Sequence, residues 1–177
     1  EMMSVITETL KNFPECYNAC KFSIYEKSAF LRNQQQKNLK SEKILWVTDI
    51  KEMNSYPTLY LANEFFDAIP IKQFFLKKTG WVERFVELKN IKKAKFKQQK
   101  INIKKLEQEI NFEISKNQNI IEYSPATFEY LKKIFNIIQK NGGGILIIDY
   151  GYLNSKMCET LQAVKNHKYS NVLENIG

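Results

Sequence analysis

Short apolar runs place the strongest constraint on how this chain can fold. The longest of them hold four residues each: Ile44–Val47, Leu59–Ala62 and Ile145–Ile148. A membrane-spanning helix needs about 20 apolar residues, so the sequence predicts no membrane insertion. Runs of this length are typical of buried strands, and helix-like stretches separate them along the chain. Strands that alternate with helices predict a parallel sheet with covering helices, an α/β fold.

Local signals give the expected boundaries of these elements. The predicted strands are 22–25, 44–47, 58–62, 71–77, 81–88, 120–123 and 145–148. The predicted helices are 2–13, 29–39, 125–141 and 159–166. Pro14 is expected to stop the first helix, whereas Ser28 and Ser124 are placed to cap the next two. Asn141-Gly142 tolerates positive φ and ends the third helix. Ile145–Ile148 is apolar on both faces, which predicts a central strand.

The middle of the chain has a different composition. Lys78-Thr79-Gly80 separates two β-rich runs and predicts a hairpin. The lysine-rich stretch Ile91–Lys105 follows, and we interpret it as a surface excursion that is strand-like in Phe96–Ile103, with a basic contact patch as the alternative. The expected organisation is therefore residues 1–70 as the first part of a core, 71–119 as a hairpin and lysine-rich insertion, and 120–177 as the return to the core.

Charge and cysteine usage exclude several function classes. The formal charge is +8, but 25 of the 27 basic residues are Lys and two are Arg, the residue that binds phosphate and guanine bidentately. This disfavours a nucleic-acid partner. The three cysteines are odd in number and have no Cys-x-x-Cys or nearby His partner, which disfavours zinc and disulfides. With no basic-then-apolar leader, the sequence predicts a cytoplasmic protein.

Acidic residues follow four of the predicted strands. These residues are Glu26, Asp49, Glu64 with Asp67, and Asp149. Ligands of an open α/β sheet bind outside the carboxyl ends of its strands, where an acid can accept hydrogen bonds from ribose hydroxyls or orient a cationic substrate. Each acid taken alone is more often a helix cap or loop residue. Four in succession favour a shared pocket.

The segment from Asn63 to Pro70 is the densest constellation of chemical groups. It holds an amide and two carboxylates, Asn63, Glu64 and Asp67, around Phe65 and Phe66. The two phenylalanines are expected to pack in the core rather than to clamp a substrate. The single histidine, His167, lies far downstream, and no Gly-x-Ser-x-Gly or Cys/His nucleophile motif is present.

Several strings of the sequence, in order and spacing, resemble the MidA-like family, the protein arginine methyltransferases that include the mitochondrial complex I assembly factor. The matching strings are Glu26–Gln34, Ala62–Phe74, Gly80–Arg84, Glu122–Pro125, Gly142–Gly151 and Thr160–Val164 with His167. The strings N-E-F-F-D-A-I-P and I-D-Y-G are the most specific. In one difference from the family, Cys158-Glu159 stands where relatives usually carry Gly-Asp.

The resemblance implies a partial class I, Rossmann-like methyltransferase fold that uses S-adenosyl-L-methionine and carries an inserted β-hairpin. It implies that Glu26 holds the ribose hydroxyls and that Asp49 lies near the adenine. It further implies that Asn63, Glu64 and Asp67 line the methyl-transfer site. Asn63 is implied to bind the cofactor as well, and Asp149 and Tyr150 are implied to bind the substrate. No metal is implied. The implied partner is a protein substrate, with a subunit of respiratory complex I as the candidate.

Glu64 is the first candidate to hold a substrate guanidinium, and Asp67 is the second. A guanidinium is always charged and a poor nucleophile, so a carboxylate must localise its charge. The family's glycine-rich loop after its first strand has no counterpart here. One alternative is therefore an inactive methyltransferase remnant that acts at most as a binding module. A second alternative, suggested by the lysine content, is a nucleic-acid binder.

Overall fold

The computed structural model describes residues 2–39, 43–53, 56–90, 93–113, 118–153 and 157–174. Five helices, a short 3₁₀ helix and ten strands occur in these ranges. The chain divides into two compact units, one made of Glu1–Leu61 and Leu131–Leu146, the other of Ala62–Tyr130 and Ile147–Gly177. The expected three-part organisation of core, insertion and return remains a prediction.

The first unit contains a pair of parallel strands. The strands β1 (Phe22–Tyr25) and β2 (Ile44–Val47) run in the same direction, with Phe22 opposite Ile44. The helix that connects them, α3 (Ala29–Asn38), begins at Ser28, whose hydroxyl accepts a hydrogen bond from the Leu31 amide at 3.3 Å. Both strands and the Ser28 cap are confirmed as predicted.

Two further strands form the pair that leads to the candidate site. They are β3 (Thr58–Asn63) and β8 (Gly143–Ile148), which are hydrogen-bonded to each other. The Thr58 amide donates to the Gly142 carbonyl at 3.3 Å, and the Glu64 amide donates to the Ile148 carbonyl at 2.9 Å. Because both bonds run in the same order along the two strands, β3 and β8 are parallel, as an α/β sheet requires.

The second unit contains the inserted sheet, which is larger than the predicted hairpin. Its four antiparallel strands lie in the order β6 (Lys93–Lys100), β5 (Gly80–Asn90), β4 (Lys72–Lys77) and β7 (Ile120–Tyr123). The helix α4 (Ile103–Ile110) packs on one face of the sheet, where Leu106 joins Phe74 and Ile121 in a buried cluster. The lysine-rich stretch thus contains the edge strand β6, which overlaps the strand-like part expected at Phe96–Ile103, and the start of α4, a helix that the sequence analysis did not predict.

The helices at the two ends of the chain differ from the prediction. The first helix, α1 (Met2–Leu10), ends before Pro14, which instead occupies the first turn of a second helix, α2 (Pro14–Ala19). A proline lacks the amide that the first helical turn leaves unpaired, so it is tolerated there. The last predicted helix is absent from the described part of the chain, where a hairpin of β9 (Ala163–Lys165) and β10 (Lys168–Ser170) takes its place.

The backbone explains the hairpin at the end of the chain. Asn166 and His167 both have positive φ, 52° and 58°, which is the conformation of a two-residue type I′ turn and cannot continue a right-handed helix.

The strand β8 also differs, because in the described residues it pairs with β3 and no other strand. Its Leu146, Ile147 and Ile148 are about half exposed, so the central position expected from their apolar character is not seen. The helix that precedes it, α5 (Pro125–Asn141), follows the prediction. Ser124 caps it by accepting a hydrogen bond from the Thr127 amide at 3.2 Å, and Gly142 follows it with a φ of 84°.

Candidate functional site

Two loops of the second unit bring four of the predicted site residues together. The first loop follows β3 and carries Glu64 and Asp67, and the second follows β8 and carries Asp149 and Tyr150. The Asp67 amide donates a hydrogen bond to Asp149 Oδ2 at 3.2 Å, and the Tyr150 amide donates to Asp149 Oδ1 at 2.8 Å. Because β3 and β8 are parallel neighbours, their carboxyl ends deliver both loops to the same sheet edge. These four residues are called the acidic cluster below.

The carboxylates of the acidic cluster lie close enough to Tyr150 to raise its pKa. The charge of Glu64 raises the pKa of the Tyr150 phenol above its ordinary value, and a hydrogen bond with the same carboxylate raises it further. The charges of Asp67 and Asp149 add to the effect. Tyr150 is 79% exposed, so an approaching ligand could reach its hydroxyl and the carboxylates around it. The cluster thus presents three anionic groups and one hydroxyl to solvent.

This arrangement gives the first testable prediction. Replacing Glu64 by glutamine removes the charge that most strongly opposes ionisation of Tyr150, so we expect the phenol pKa to fall toward its ordinary value of 10.0. The pKa is measured from the ¹³Cζ chemical shift of Tyr150 across a pH titration. The variant Glu129→Gln, on an exposed position of α5, is the control. An unchanged Tyr150 pKa in the Glu64 variant would mean that the two groups do not meet.

Aromatic packing fixes the loop that carries Glu64 and Asp67. Phe65 meets Phe66 edge to face at 5.1 Å between ring centroids and meets Tyr130 of α5 in the same way at 5.4 Å. Both phenylalanines are partly buried, as expected for packing rather than for a substrate clamp. Glu64 itself has a φ of 48°, a left-handed conformation that is uncommon for a residue with a side chain. The packing holds Glu64 in this strained position.

The two predicted cofactor acids lie in the first unit, at the ends of neighbouring parallel strands. Glu26 follows β1, and its carboxylate accepts hydrogen bonds from the Ser28 amide at 2.8 Å and from Gln35 Nε2 at 3.2 Å. Gln35 in turn accepts a hydrogen bond from the Trp46 indole at 3.0 Å, so the orientation of the Glu26 carboxylate is fixed. Asp49 follows β2, is exposed, and accepts a hydrogen bond from the Lys51 amide at 3.0 Å.

The remaining predicted residue, Asn63, is the last residue of β3 and is exposed next to Glu64. It belongs to the second unit, together with the acidic cluster. In the ranges that the structure covers, no group of three or more His, Cys, Asp or Glu side chains is arranged to hold a metal ion. No helix in those ranges is both long and apolar enough to cross a bilayer.

Sequence reasoning missed a second group of polar residues near the cluster. Gln73, Arg84 and Glu122 form a hydrogen-bonded chain across β4, β5 and β7. Arg84 and Glu122 lie within strings that carry the family resemblance, but the sequence analysis assigns no role to either residue. The sequence of β4 carries no clear signal, since Gln73 follows Lys72, and only the structure shows that its side chain is 4% exposed. A buried amide needs partners, and that requirement points to a network.

The sequence matches a family described as "Putative S-adenosyl-L-methionine-dependent methyltransferase" over residues 1–177. Among curated relatives, the mitochondrial protein arginine methyltransferase NDUFAF7 homolog of Caenorhabditis elegans is 32% identical over 139 residues, which are 76% of this chain and 32% of that protein. NDUFAF7 of Xenopus tropicalis is 28% identical over 134 residues, 76% of this chain and 31% of the relative. The chain thus spans about a third of the length of these relatives.

Solved structures show the same fold. A protein from Burkholderia thailandensis with bound S-adenosyl-homocysteine superimposes with a TM-score of 0.51 at 16% identity, over 64% of this chain and 30% of that one. A native structure of a protein from the same organism gives a TM-score of 0.52, also at 16% identity, over 64% of this chain and 32% of that one. The expected partial methyltransferase fold with an insertion is therefore confirmed.

The expected location of the protein needs correction. The curated relatives are mitochondrial by name, which contradicts the cytoplasmic location predicted from cysteine usage and the absence of a leader. Cysteine usage indicates only the redox conditions of a compartment and does not distinguish the cytosol from other reducing compartments.

Proposed function

The chain belongs to this family of S-adenosyl-L-methionine-dependent methyltransferases, and on that premise we propose that it forms part of an enzyme that methylates arginine on a protein. The observation that carries the proposal is the acidic cluster at the ends of β3 and β8. Three carboxylates around one hydroxyl suit a cationic group that needs several hydrogen-bond acceptors. The relatives named protein arginine methyltransferases support the same substrate class.

Glu64 holds the guanidinium in this proposal. Its carboxylate accepts two parallel N–H bonds from the planar group and draws the positive charge toward those nitrogens. The nitrogen to be methylated is thereby held in one place with its electron pair less delocalised. The Tyr150 hydroxyl lies within reach of the Glu64 carboxylate, whose charge and hydrogen bonding raise the phenol pKa. The hydroxyl therefore has to be displaced, or to share the carboxylate, when the guanidinium arrives.

The other carboxylates complete the acceptor side. Asp149 ties the two loops together through the amides of Asp67 and Tyr150, so the spacing of the carboxylates is fixed before substrate arrives. When the nitrogen forms its bond to the methyl carbon it must lose a proton, and Asp67 is the group that we assign to accept it. Holding the reacting atoms about 3–3.5 Å apart supplies much of the acceleration.

Glu26 and Asp49 fit the nucleoside part of the cofactor. Each Glu26 oxygen accepts one hydrogen bond from the protein, and each has a second lone pair that can accept a ribose hydroxyl. Asp49 is exposed at the end of the adjacent strand, and we assign it to the adenine side. When bound, S-adenosyl-L-methionine supplies the methyl group from its sulfonium sulfur.

The protein substrate that we propose is a subunit of respiratory complex I.

Calorimetric titration with S-adenosyl-homocysteine tests the cofactor half of the proposal. We expect saturable binding, and we expect Glu26→Gln to weaken it by roughly 10–100-fold, because a charge-assisted pair of hydrogen bonds is lost. Glu15→Gln, at an exposed position on α2, is the matched control and should bind as the unsubstituted protein does. Equal affinity of the Glu26 variant would remove Glu26 from the ribose site. No binding by the unsubstituted protein would favour the non-catalytic remnant.

A further inference from the structure

A chain of polar side chains crosses the face of the inserted sheet opposite α4. Arg84 Nε and one terminal nitrogen donate to Gln73 Oε1 at 3.1 and 2.6 Å, and Gln73 Nε2 donates to Glu122 Oε1 at 2.6 Å. In the register of the sheet, Gln73 lies directly opposite both Arg84 and Glu122. The three residues therefore form a continuous row across β5, β4 and β7.

Aromatic rings shield the cation at one end of this row. The Arg84 guanidinium lies 4.6 Å from the Phe75 ring centroid and 4.4 Å from that of Phe96. Its side chain is 13% exposed. A cation this far removed from water needs an anion, and Glu159, which lies after β8, supplies it by pairing with Arg84.

The anion at the other end of the row holds the same segment of chain. The Thr160 amide donates to Glu122 Oε1 at 3.0 Å, and the Thr160 hydroxyl donates to Glu122 Oε2. Both ends of the row thus bind Glu159-Thr160, which has no helix or strand of its own. Residues 157–160 follow Asp149 and Tyr150 along the sequence, C-terminal to the second loop of the acidic cluster.

The other loop of the acidic cluster is anchored to the same strand. Ser124, two residues beyond Glu122 and hence on the same side of the extended chain, donates from its hydroxyl to the Pro70 carbonyl at 3.0 Å. Pro70 lies three residues after Asp67. The end of β7 therefore holds the first loop of the cluster through Ser124, and through Glu122 it holds the segment that follows the second loop in the sequence.

We propose that the row of Gln73, Arg84 and Glu122, together with Ser124, positions the two loops of the acidic cluster for the acceptor substrate. The inference rests on the proposed function, and it gives the inserted sheet a task in catalysis. These residues touch no substrate and act by fixing the backbone of the residues that do. Small displacements of positioned groups are costly to catalysis, since a shift of about 1 Å can lower the rate 10²-fold.

Glu159→Ala is the variant of choice, because the Glu159 side chain is 43% exposed and lies outside the strands of the sheet, so the substitution unpairs Arg84 without removing a core side chain. We expect kcat/KM for the protein acceptor to fall about 10-fold, while the Kd for S-adenosyl-homocysteine changes less than about 2-fold. Glu159→Asp, which keeps the carboxylate, should restore kcat/KM to within about 3-fold. Glu83→Gln is the control, since Glu83 is next to Arg84 on the opposite face of β5 and pairs with Lys72 instead.

A second readout separates this inference from the proposed function. The Tyr150 pKa depends on the carboxylates of both loops, so we expect it to fall toward 10.0 in Glu159→Ala and in Glu122→Ala, and to stay raised in Glu83→Gln. This holds even if the protein methylates no acceptor. Unchanged kcat/KM and an unchanged Tyr150 pKa in folded Glu159→Ala and Glu122→Ala would overturn the positioning role. An activity loss that Glu159→Asp fails to restore would overturn it as well.

Discussion

Replacing Glu64 by glutamine is expected to lower kcat for methyl transfer by about 10²–10³-fold, the cost of removing one preorganised charge from a reacting site. Glutamine has nearly the same shape and can adopt the same backbone conformation, so the loop should keep its position. What is lost is the charge that holds a guanidinium and localises its positive charge. Initial rates with radioactive methyl donor and a protein acceptor measure the effect.

Two comparisons make this result specific. The Kd for S-adenosyl-homocysteine should be unchanged, since Glu26 and Asp49 are left intact. Asp67→Asn should have a smaller effect, because Asp67 accepts a proton that water can also accept. A Glu64 variant with normal turnover would show that another group holds the acceptor guanidinium, and the role proposed for Glu64 would then be wrong.

The second large effect is expected at Gly143, where β8 begins. Its φ is 116°, and a Cβ added there would overlap the Thr58 carbonyl oxygen and lie 2.7 Å from the Thr58 nitrogen and carbonyl carbon. These are backbone atoms of the paired strand, so they cannot rotate away. We expect Gly143→Ala to lower the free energy of unfolding by about 3 kcal/mol or more, from steric overlap and from backbone strain.

Gly144 provides the matched control. A Cβ at this neighbouring position would meet the flexible Leu59 side chain at 3.9 Å, an ordinary contact. Urea unfolding followed by circular dichroism should show a large loss of stability for Gly143→Ala and a change below about 1 kcal/mol for Gly144→Ala. Similar stability losses in the two variants would contradict the close approach of β3 and β8 at Thr58.

The parts of the fold that the sequence predicted depend on short-range signals. Ser28 and Ser124 cap their helices through amides three residues away, so both caps can be read from neighbouring residues. The four-residue apolar strands and the turn before Gly80 are local in the same sense. The gathering of Glu64, Asp67, Asp149 and Tyr150 was also accessible, since the ends of parallel strands lie at one sheet edge.

The parts that the sequence did not predict depend on distant partners or on competing patterns. In α4, Ile103, Leu106 and Ile110 recur at helical spacing, but the lysines around them favour an exposed segment without a buried face. The sequence analysis therefore does not predict this helix. Gln73 finds its partners 11 and 49 residues away, and no local pattern indicates either. The turn at Asn166-His167 requires two consecutive positive φ values, a choice that the apolar spacing of Leu161 and Val164 does not reveal.

The amide of Gln73 has a direction. Its oxygen faces the cation Arg84 and its nitrogen faces the anion Glu122, so the group lies head to tail between opposite charges. A carboxylate at this position would oppose Glu122, and an ammonium would oppose Arg84. A neutral group with a donor at one end and an acceptor at the other satisfies both neighbours. In homologues that carry the acid on β5 and the arginine on β7, we therefore expect the glutamine to remain and its amide to be rotated by 180°.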